Sequence, residues 1–146
     1  MIGIVVVTHG GIAEELVNAT RTIVGEDVPA IAAVSIAWAD DVTAAREAIE
    51  RGLREVGGGE ALVLTDMFGG TPTNLSLPYL SSSVEIVTGV NLPMVLKCAA
   101  LQKSGKPVVE IAHVAKDRGQ RSIYVASDLL AEPEAESAAM AQRRDP

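Results

Sequence analysis

The chain has 146 residues, a formal net charge of −7 at pH 7, 48% hydrophobic residues and a single cysteine. This length suits one domain with an apolar core, while the acidic balance and the lack of a basic stripe argue against nucleic-acid binding. No apolar run reaches the roughly 18 residues of a membrane-spanning helix, so we expect no membrane insertion. The lone Cys98 cannot form an internal disulfide, which fits the reducing cytoplasm, where we expect the protein to act.

The chain begins with a predicted strand and a predicted helix. Residues 2–8, IGIVVVT, form a continuous β-branched run that is typical of a strand covered on both faces. In residues 11–25, apolar side chains recur at intervals of three and four, which predicts a helix with these residues on its buried face and Gly25 at its end. The apolar positions are Ile12, Leu16, Ala19 and Ile23.

Strands and helices continue to alternate along the chain. This order predicts an α/β fold with a mostly parallel sheet and helices on both faces. The run RSIYVAS, residues 121–127, alternates apolar and polar residues and predicts a last strand. We expect one domain over residues 1–127, followed by a flexible C-terminal tail over residues 128–146. The other predicted strands are residues 30–37, 60–66 and 84–89, and the other helices lie at 40–59, 73–80, 91–105 and 107–118.

Three segments at the ends of predicted strands carry residues suited to chemistry: THGG, DMFGGTPTN and TGVNLP. Ligands of open α/β sheets bind at the carboxyl edge of the strands, so we expect His9 and Asp66 to meet there. A carboxylate that accepts a hydrogen bond from one imidazole nitrogen fixes the tautomer and leaves the other nitrogen as a nucleophile. Asp66 is the candidate carboxylate. The sequence alone does not choose between the two ring nitrogens, and the tautomer argument favours Nε2 as the phosphoryl acceptor, with Nδ1 facing Asp66.

The neighbouring glycines can supply donors for an anion. Gly10 and Gly11 lead into a helix whose first amides favour negative charge. Gly69 and Gly70, with the hydroxyl of Thr71, offer a second set of donors. Donors that converge on a nucleophilic histidine suit phosphoryl transfer, which depends on positioning and charge stabilisation. The sequence therefore predicts a phosphohistidine site.

The remaining histidine and two aromatic residues carry weaker signals. His113 lies on a polar helical face and is interpreted as a solvated surface residue. Trp38 follows the second predicted strand, where packing in the core or in a dimer is favoured over contact with a ligand. Phe68 lies inside the glycine loop, where it either belongs to a partner-docking surface or anchors the loop.

With THGG, DMFGGTPTN and TGVNLPM all present, the chain resembles the IIA component of the mannose/fructose/sorbose family of the bacterial phosphotransferase system (PTS). The resemblance runs from residue 1 to about residue 127. It implies a flavodoxin-like fold whose last strand is antiparallel and is exchanged between the subunits of a homodimer. It also implies that His9 is phosphorylated, that Asp66 orients its ring and that Thr71 contacts the site.

The same resemblance implies a protein-histidine phosphotransferase that acts in carbohydrate uptake. The phosphocarrier protein HPr would donate the phosphoryl group, and a IIB protein would accept it. No metal or organic cofactor is implied. The chain stops after a short tail without a linked IIB domain, so we expect the IIB partner to be a separate chain. A stand-alone regulatory phosphoprotein that signals phosphorylation state without sugar transport is the alternative.

Two further classes of protein fit the sequence less well. A phosphoaspartate receiver needs acidic metal ligands after its first strand and a lysine after its last, where this chain has Thr8-His9 and VASD. A non-catalytic module that binds a nucleotide or another anion could use the same glycine loops. Neither G-x-G-x-x-G nor G-x-x-x-x-G-K-[ST] follows the first strand, which argues against that module.

Overall fold

The computed structural model describes residues 1–25 and 27–131. Four parallel strands form a sheet in the order β2-β1-β3-β4, and helices flank the sheet, so the predicted α/β architecture is confirmed. A 3-10 turn, Leu77–Tyr79, follows α3. The strands are β1 (Gly3–His9), β2 (Ile31–Ile36), β3 (Ala61–Thr65) and β4 (Val84–Thr88), and the helices are α1 (Ile12–Val24), α2 (Val42–Glu55), α3 (Thr71–Ser76), α4 (Leu92–Leu101), α5 (Val108–Arg121) and α6 (Ala126–Ala131).

The sheet is covered on both faces. Ile4 and Val6 of β1 pack in a core with side chains of α1, α4 and α5. Val5 and Val7 point the other way and pack in a second core with α2. Because neither face meets water, every position of the strand favours an apolar residue, which explains the continuous apolar run at the start of the chain. Across the described ranges, no helix is long and apolar enough to cross a membrane.

Helix α1 buries a different face from the predicted one. Ile12 and Ile23 are 51% and 59% exposed, whereas Ala13, Val17 and Thr20 are buried. The hydroxyl of Thr20 donates to a carbonyl one turn earlier at 2.8 Å, so its burial leaves no polar group unsatisfied. The small side chains of Ala13 and Thr20 let the helix lie close to the sheet. The prediction is therefore right in part: Leu16 is half-buried against the core, but the centre of the buried face lies one residue further along than predicted.

The strand predicted over residues 121–127 is not formed in this chain. Helix α5 continues to Arg121, residues 123–125 have no regular secondary structure, and α6 begins at Ala126. A strand needs a neighbour for its backbone hydrogen bonds, and the described part of this chain supplies none for this segment. Helix α6 also crosses the predicted domain boundary at residue 127. Residues 132–146, which make up most of the predicted tail, lie outside the described residues.

Candidate functional site

The register of the sheet brings the two predicted site residues together. Val7 of β1 pairs with Thr65 of β3, so His9 and Asp66 both lie at the carboxyl edge. The main-chain amide of His9 donates to Oδ2 of Asp66 at 3.0 Å, and Nδ1 of the His9 ring lies 2.7 Å from the same oxygen. The predicted meeting of these side chains, 57 positions apart in sequence, is confirmed. Their catalytic roles stay predictions.

The environment of Asp66 determines which ring nitrogen carries the hydrogen. Burial by itself would raise the pKa of Asp66, but hydrogen bonds from the amide and ring of His9, together with the charge of the ring, outweigh burial and lower that pKa from its ordinary 3.8. The other oxygen, Oδ1, accepts from the Met67 amide at 3.0 Å. An ionised carboxylate can only accept, so Nδ1 must be the donor. In the neutral form of the ring, with its one hydrogen on Nδ1, the lone pair lies on Nε2.

Gly70 lies directly against the imidazole ring. A Cβ at this position would come within 2.7 Å of Cε1 and 3.2 Å of Nε2 of His9. The φ of Gly70 is −85°, which any residue can adopt. The close approach to the ring, and not the backbone conformation, therefore favours glycine here. The missing side chain keeps open the space beside Nε2.

Three buried threonines hold the loops around the site. Thr73 donates to the Met67 carbonyl at 2.6 Å. The Thr73 hydroxyl has a single hydrogen, and the Met67 carbonyl accepts it. The Thr65 hydroxyl must therefore be the donor in the 2.7 Å contact between Thr65 and Thr73. At the other loop, Thr8 accepts from the Ala13 amide at 2.7 Å and fixes the start of α1. Sequence reasoning missed these threonines, although a polar residue that ends or closely follows an apolar strand run is a signal that could have found them.

The other predicted site residues lie in the same two loops. Gly10 has a φ of +55°, and its amide donates to the Ile36 carbonyl at 2.8 Å, so the donor predicted there is already bonded within the sheet. Gly11 precedes α1, and Gly69, with a φ of +85°, shapes the turn before α3. Thr71 is exposed at the first position of α3. The phosphoryl-binding roles of the four glycines and the contact role of Thr71 stay predictions.

Trp38 is an unexpected neighbour of His9. Its indole stacks on the imidazole ring, with ring centroids 5.0 Å apart and an interplanar angle of 20°. Trp38 is 83% exposed in this chain, so packing in the core is ruled out, whereas packing in a dimer stays a prediction. The signal that could have found it is its place just after β2, because Ile36 at the end of that strand pairs with His9.

Fold and site together define an α/β domain with a histidine and a carboxylate in contact at the carboxyl edge of its parallel sheet. A family model described as "PTS system fructose IIA component" matches residues 3–116. This match covers most of the chain, which therefore belongs to the mannose-type EIIA family of the phosphotransferase system. The chain is a IIA component of the sugar phosphotransferase system, and the resemblance found in the sequence is confirmed.

Individual relatives agree with this assignment. The chain is 27% identical over 133 residues to the PTS system fructose-specific EIIA component of Bacillus subtilis (strain 168), which covers 89% of this chain and 90% of that protein. It is 28% identical to the solved mannose/sorbose-specific IIA subunit of Enterococcus faecalis, with a TM-score of 0.76 over 85% of this chain and 93% of that one. A PTS IIA protein associated with the fucose utilization operon of Streptococcus pneumoniae shows 27% identity and a TM-score of 0.75 over 88% and 95% of the two chains.

The lowered pKa of Asp66 predicts a measurable contribution to acid unfolding. The unfolded chain binds the proton at the ordinary value of 3.8, and the folded chain binds it only at lower pH. The contribution of Asp66 to the free energy of unfolding is therefore complete above that value and is lost as the pH falls through the folded pKa. We expect Asp66→Asn to show a smaller loss of stability than the wild type between pH 6 and about pH 2 in urea unfolding.

The matched control for this experiment is Asp117→Asn. The Asp117 carboxylate forms an exposed pair with Arg121 at 3.3 Å on the surface of α5, where ion pairs contribute little. This variant should keep the wild-type dependence of stability on pH. An equal flattening of that dependence in both variants would contradict the role assigned to Asp66.

Proposed function

We propose that the protein is a phosphocarrier that accepts a phosphoryl group from phosphorylated HPr on Nε2 of His9. It then passes the group to a IIB protein on a separate chain in carbohydrate uptake. The observation that carries this proposal is the 2.7 Å contact between Nδ1 of His9 and the Asp66 carboxylate. That contact holds the proton on Nδ1 and leaves Nε2 as the nucleophile.

The transfer itself exchanges one nitrogen–phosphorus bond for another. The lone pair of Nε2 forms a bond to phosphorus while the bond between phosphorus and the HPr imidazole breaks, and the bonding electrons leave with the HPr nitrogen. The proton on Nδ1 stays in its hydrogen bond to Asp66. The His9 ring thus becomes cationic, and the adjacent carboxylate stabilises its charge. Because the same kinds of bond form and break, the step can run onward to IIB.

The surface around His9 supports docking by other proteins. The His9 side chain is 17% exposed, so its ring is partly covered yet reachable from solvent. Phe68 is 75% exposed, which favours its interpretation as a docking residue over that of a loop anchor. Exposed apolar side chains gathered at one place are typical of protein interaction sites. Those beside the site residues in sequence are Ile12, Met67 and Phe68.

The functional unit in this proposal is a homodimer that exchanges its last strand. In the doubly wound order 2-1-3-4-5 a fifth strand lies beside β4. Within the described residues the sheet stops at β4, whose outer edge borders an open groove of about 630 Å³. Ile123 and Val125, which alternate along the segment after α5, are 75% and 63% exposed. Pairing this segment with β4 of a second copy, antiparallel to it, would bury both apolar side chains and cover the edge.

Labelling from phosphoenolpyruvate through the general PTS enzymes and HPr tests the proposed carrier. We expect the wild type to take up an acid-labile phosphoryl group and His9→Ala to take up none. The control is His113→Ala, because His113 is an exposed residue whose Nδ1 faces the Val109 carbonyl on α5 at 2.8 Å, and this variant should label normally. Label that persists in His9→Ala would contradict the assignment of His9 as the phosphorylated residue.

Transfer to a partner tests the second half of the proposal. Mannose-type IIB proteins added to the labelled protein should remove the label. Label that no IIB protein removes would favour the regulatory alternative.

Substitution of Gly70 tests the close packing around Nε2. A methyl group there would push the ring from its place against the loop, and a displacement of about 1 Å can cost roughly 100-fold in rate. We expect Gly70→Ala to slow phosphorylation by about that factor while thermal unfolding stays near that of the wild type. Gly59→Ala is the control, because Gly59 lies before β3 at the opposite edge of the sheet from the site and a Cβ there meets nothing within 4 Å. Equal phosphorylation rates for the two variants would show that the position of the His9 ring does not depend on a glycine at residue 70.

The exchanged strand predicts a dimer that a single charge can break. We expect light scattering to give twice the chain mass for the wild type and the monomer mass for Ile123→Asp, which puts a carboxylate into the interface. Ile23→Asp is the matched control, because Ile23 is 59% exposed on α1 and does not line the groove. It should stay dimeric. A monomeric wild type, or a dimer that survives Ile123→Asp, would contradict strand exchange.

A further inference from the structure

Trp38 has no role in the mechanism above, yet it makes a ring contact with the nucleophile. It is the only tryptophan in the chain, and it is 83% exposed. We propose that Trp38 is a positioning residue for His9: its indole face limits the tilt of the imidazole ring and stabilises the positive charge that the ring gains on phosphorylation. This inference rests on the proposed phosphorylation of His9 and adds a residue to that site.

The loop that carries Trp38 is held in place from both sides. The register of β2 against β1 pairs Ile36 with His9. Beyond that pair the chain turns: the Ala37 amide donates to Oδ2 of Asp40 at 2.9 Å, and the Asp40 amide donates to the Ala37 carbonyl at 3.0 Å. Trp38 lies inside this turn. These bonds fix the backbone of the turn beside His9, and from there the indole of Trp38 reaches over the imidazole ring.

The stack supplies a restraint that the carboxylate cannot. Asp66 bonds one edge atom of the ring, Nδ1, and Gly70 lies against Cε1 and Nε2. A single hydrogen bond at one edge still permits the ring to tilt about that edge. An indole at 5.0 Å between centroids and 20° between planes opposes this tilt, because a tilted ring loses the contact between the faces. Nε2 is thereby held in the direction from which phosphorus arrives.

The charge of the ring gives the stack a second effect. Once Nε2 is bonded to phosphorus and Nδ1 keeps its hydrogen, the ring is cationic. The face of an indole carries negative potential and attracts a cation within about 6 Å of its centroid. The 5.0 Å separation is inside that range. Trp38 therefore favours the phosphorylated state over the free one, and its fluorescence should report the phosphorylation of His9.

Proton NMR tests the stack without any phosphoryl donor. We expect the ring current of the indole to shift the Cε1 proton of His9 upfield, with the exposed His113 as an internal reference. Trp38→Leu should abolish the shift, and Trp38→Phe should keep part of it. A His9 signal that is the same in the wild type and in Trp38→Leu would overturn the proposal, because the rings would then not be stacked in solution.

Steady-state phosphorylation by phosphorylated HPr separates positioning from docking. A positioning role predicts that Trp38→Leu lowers kcat about 2–10-fold with little change in KM and that Trp38→Phe restores most of the loss. Phe68→Leu is the contrasting variant, because Phe68 is also an exposed aromatic residue but does not stack on His9 in the described structure; as a docking residue it should raise KM and leave kcat at the wild-type value. A rise in KM alone for Trp38→Leu would make Trp38 a docking residue only and overturn the proposal.

Fluorescence then links the stack to the phosphoryl group. We expect the emission of Trp38 to change when the wild type is phosphorylated and to stay constant in His9→Ala under the same conditions. A wild type that takes no phosphoryl group would refute the proposed function, and this inference with it. A wild type that is labelled while Trp38→Leu keeps the same kcat would refute the inference alone.

Discussion

One carboxylate oxygen joins the two loops on which the site depends. Oδ2 of Asp66 accepts both the main-chain amide of His9 at 3.0 Å and the Nδ1 hydrogen of the same residue at 2.7 Å. The first bond ties the end of β1 to the end of β3, and the second orients the ring on that fixed backbone. Because Oδ1 is held by the Met67 amide, the carboxylate cannot rotate freely. The orientation of Nε2 thus follows from the register of the sheet.

Residues of the loop between β3 and α3 hold Asp66 and His9 in this contact. Thr65 and Thr73 are buried and bonded to each other, and Thr73 bonds the Met67 carbonyl, so the loop that carries Asp66 is tied to the end of β3 and to α3. Buried hydroxyls are stable here because each finds a partner, and none of the buried side-chain polar atoms in the described residues lacks one. Gly70 brings the same loop against the ring. The side chains around His9 are therefore held by short-range bonds within two loops, and the ring is oriented before any partner docks.

The sequence predicted those features that depend on burial along single segments. The apolar runs that end at His9 and Asp66 indicate buried parallel strands, and the common edge of such strands brings the two side chains together. The buried face of α1 could not be predicted from spacing, because the bond from the Ala13 amide to Thr8 and the small side chains of the helix decide its rotation. The prediction of the last strand failed for a different reason: a strand needs backbone pairing with a neighbour, and the alternation of apolar residues along one segment does not show whether that pairing forms. Trp38 was misjudged because an exposed indole contradicts the usual burial of aromatic residues.

A carrier has requirements that differ from those of an enzyme with an enclosed pocket. Its nucleophile must be reached by two protein surfaces in turn, so it cannot be buried, yet a freely rotating exposed imidazole would seldom point at phosphorus. The structure meets both demands by restraining His9 through its inner edge and leaving its side chain 17% exposed. In the proposed carrier, the same restraint would serve acceptance and donation alike, because the carboxylate that orients the neutral ring would also balance the cationic one. The carboxylate and the indole of Trp38 are both partly exposed, so the stabilisation that they give the cation is moderate, which suits a group that has to leave again.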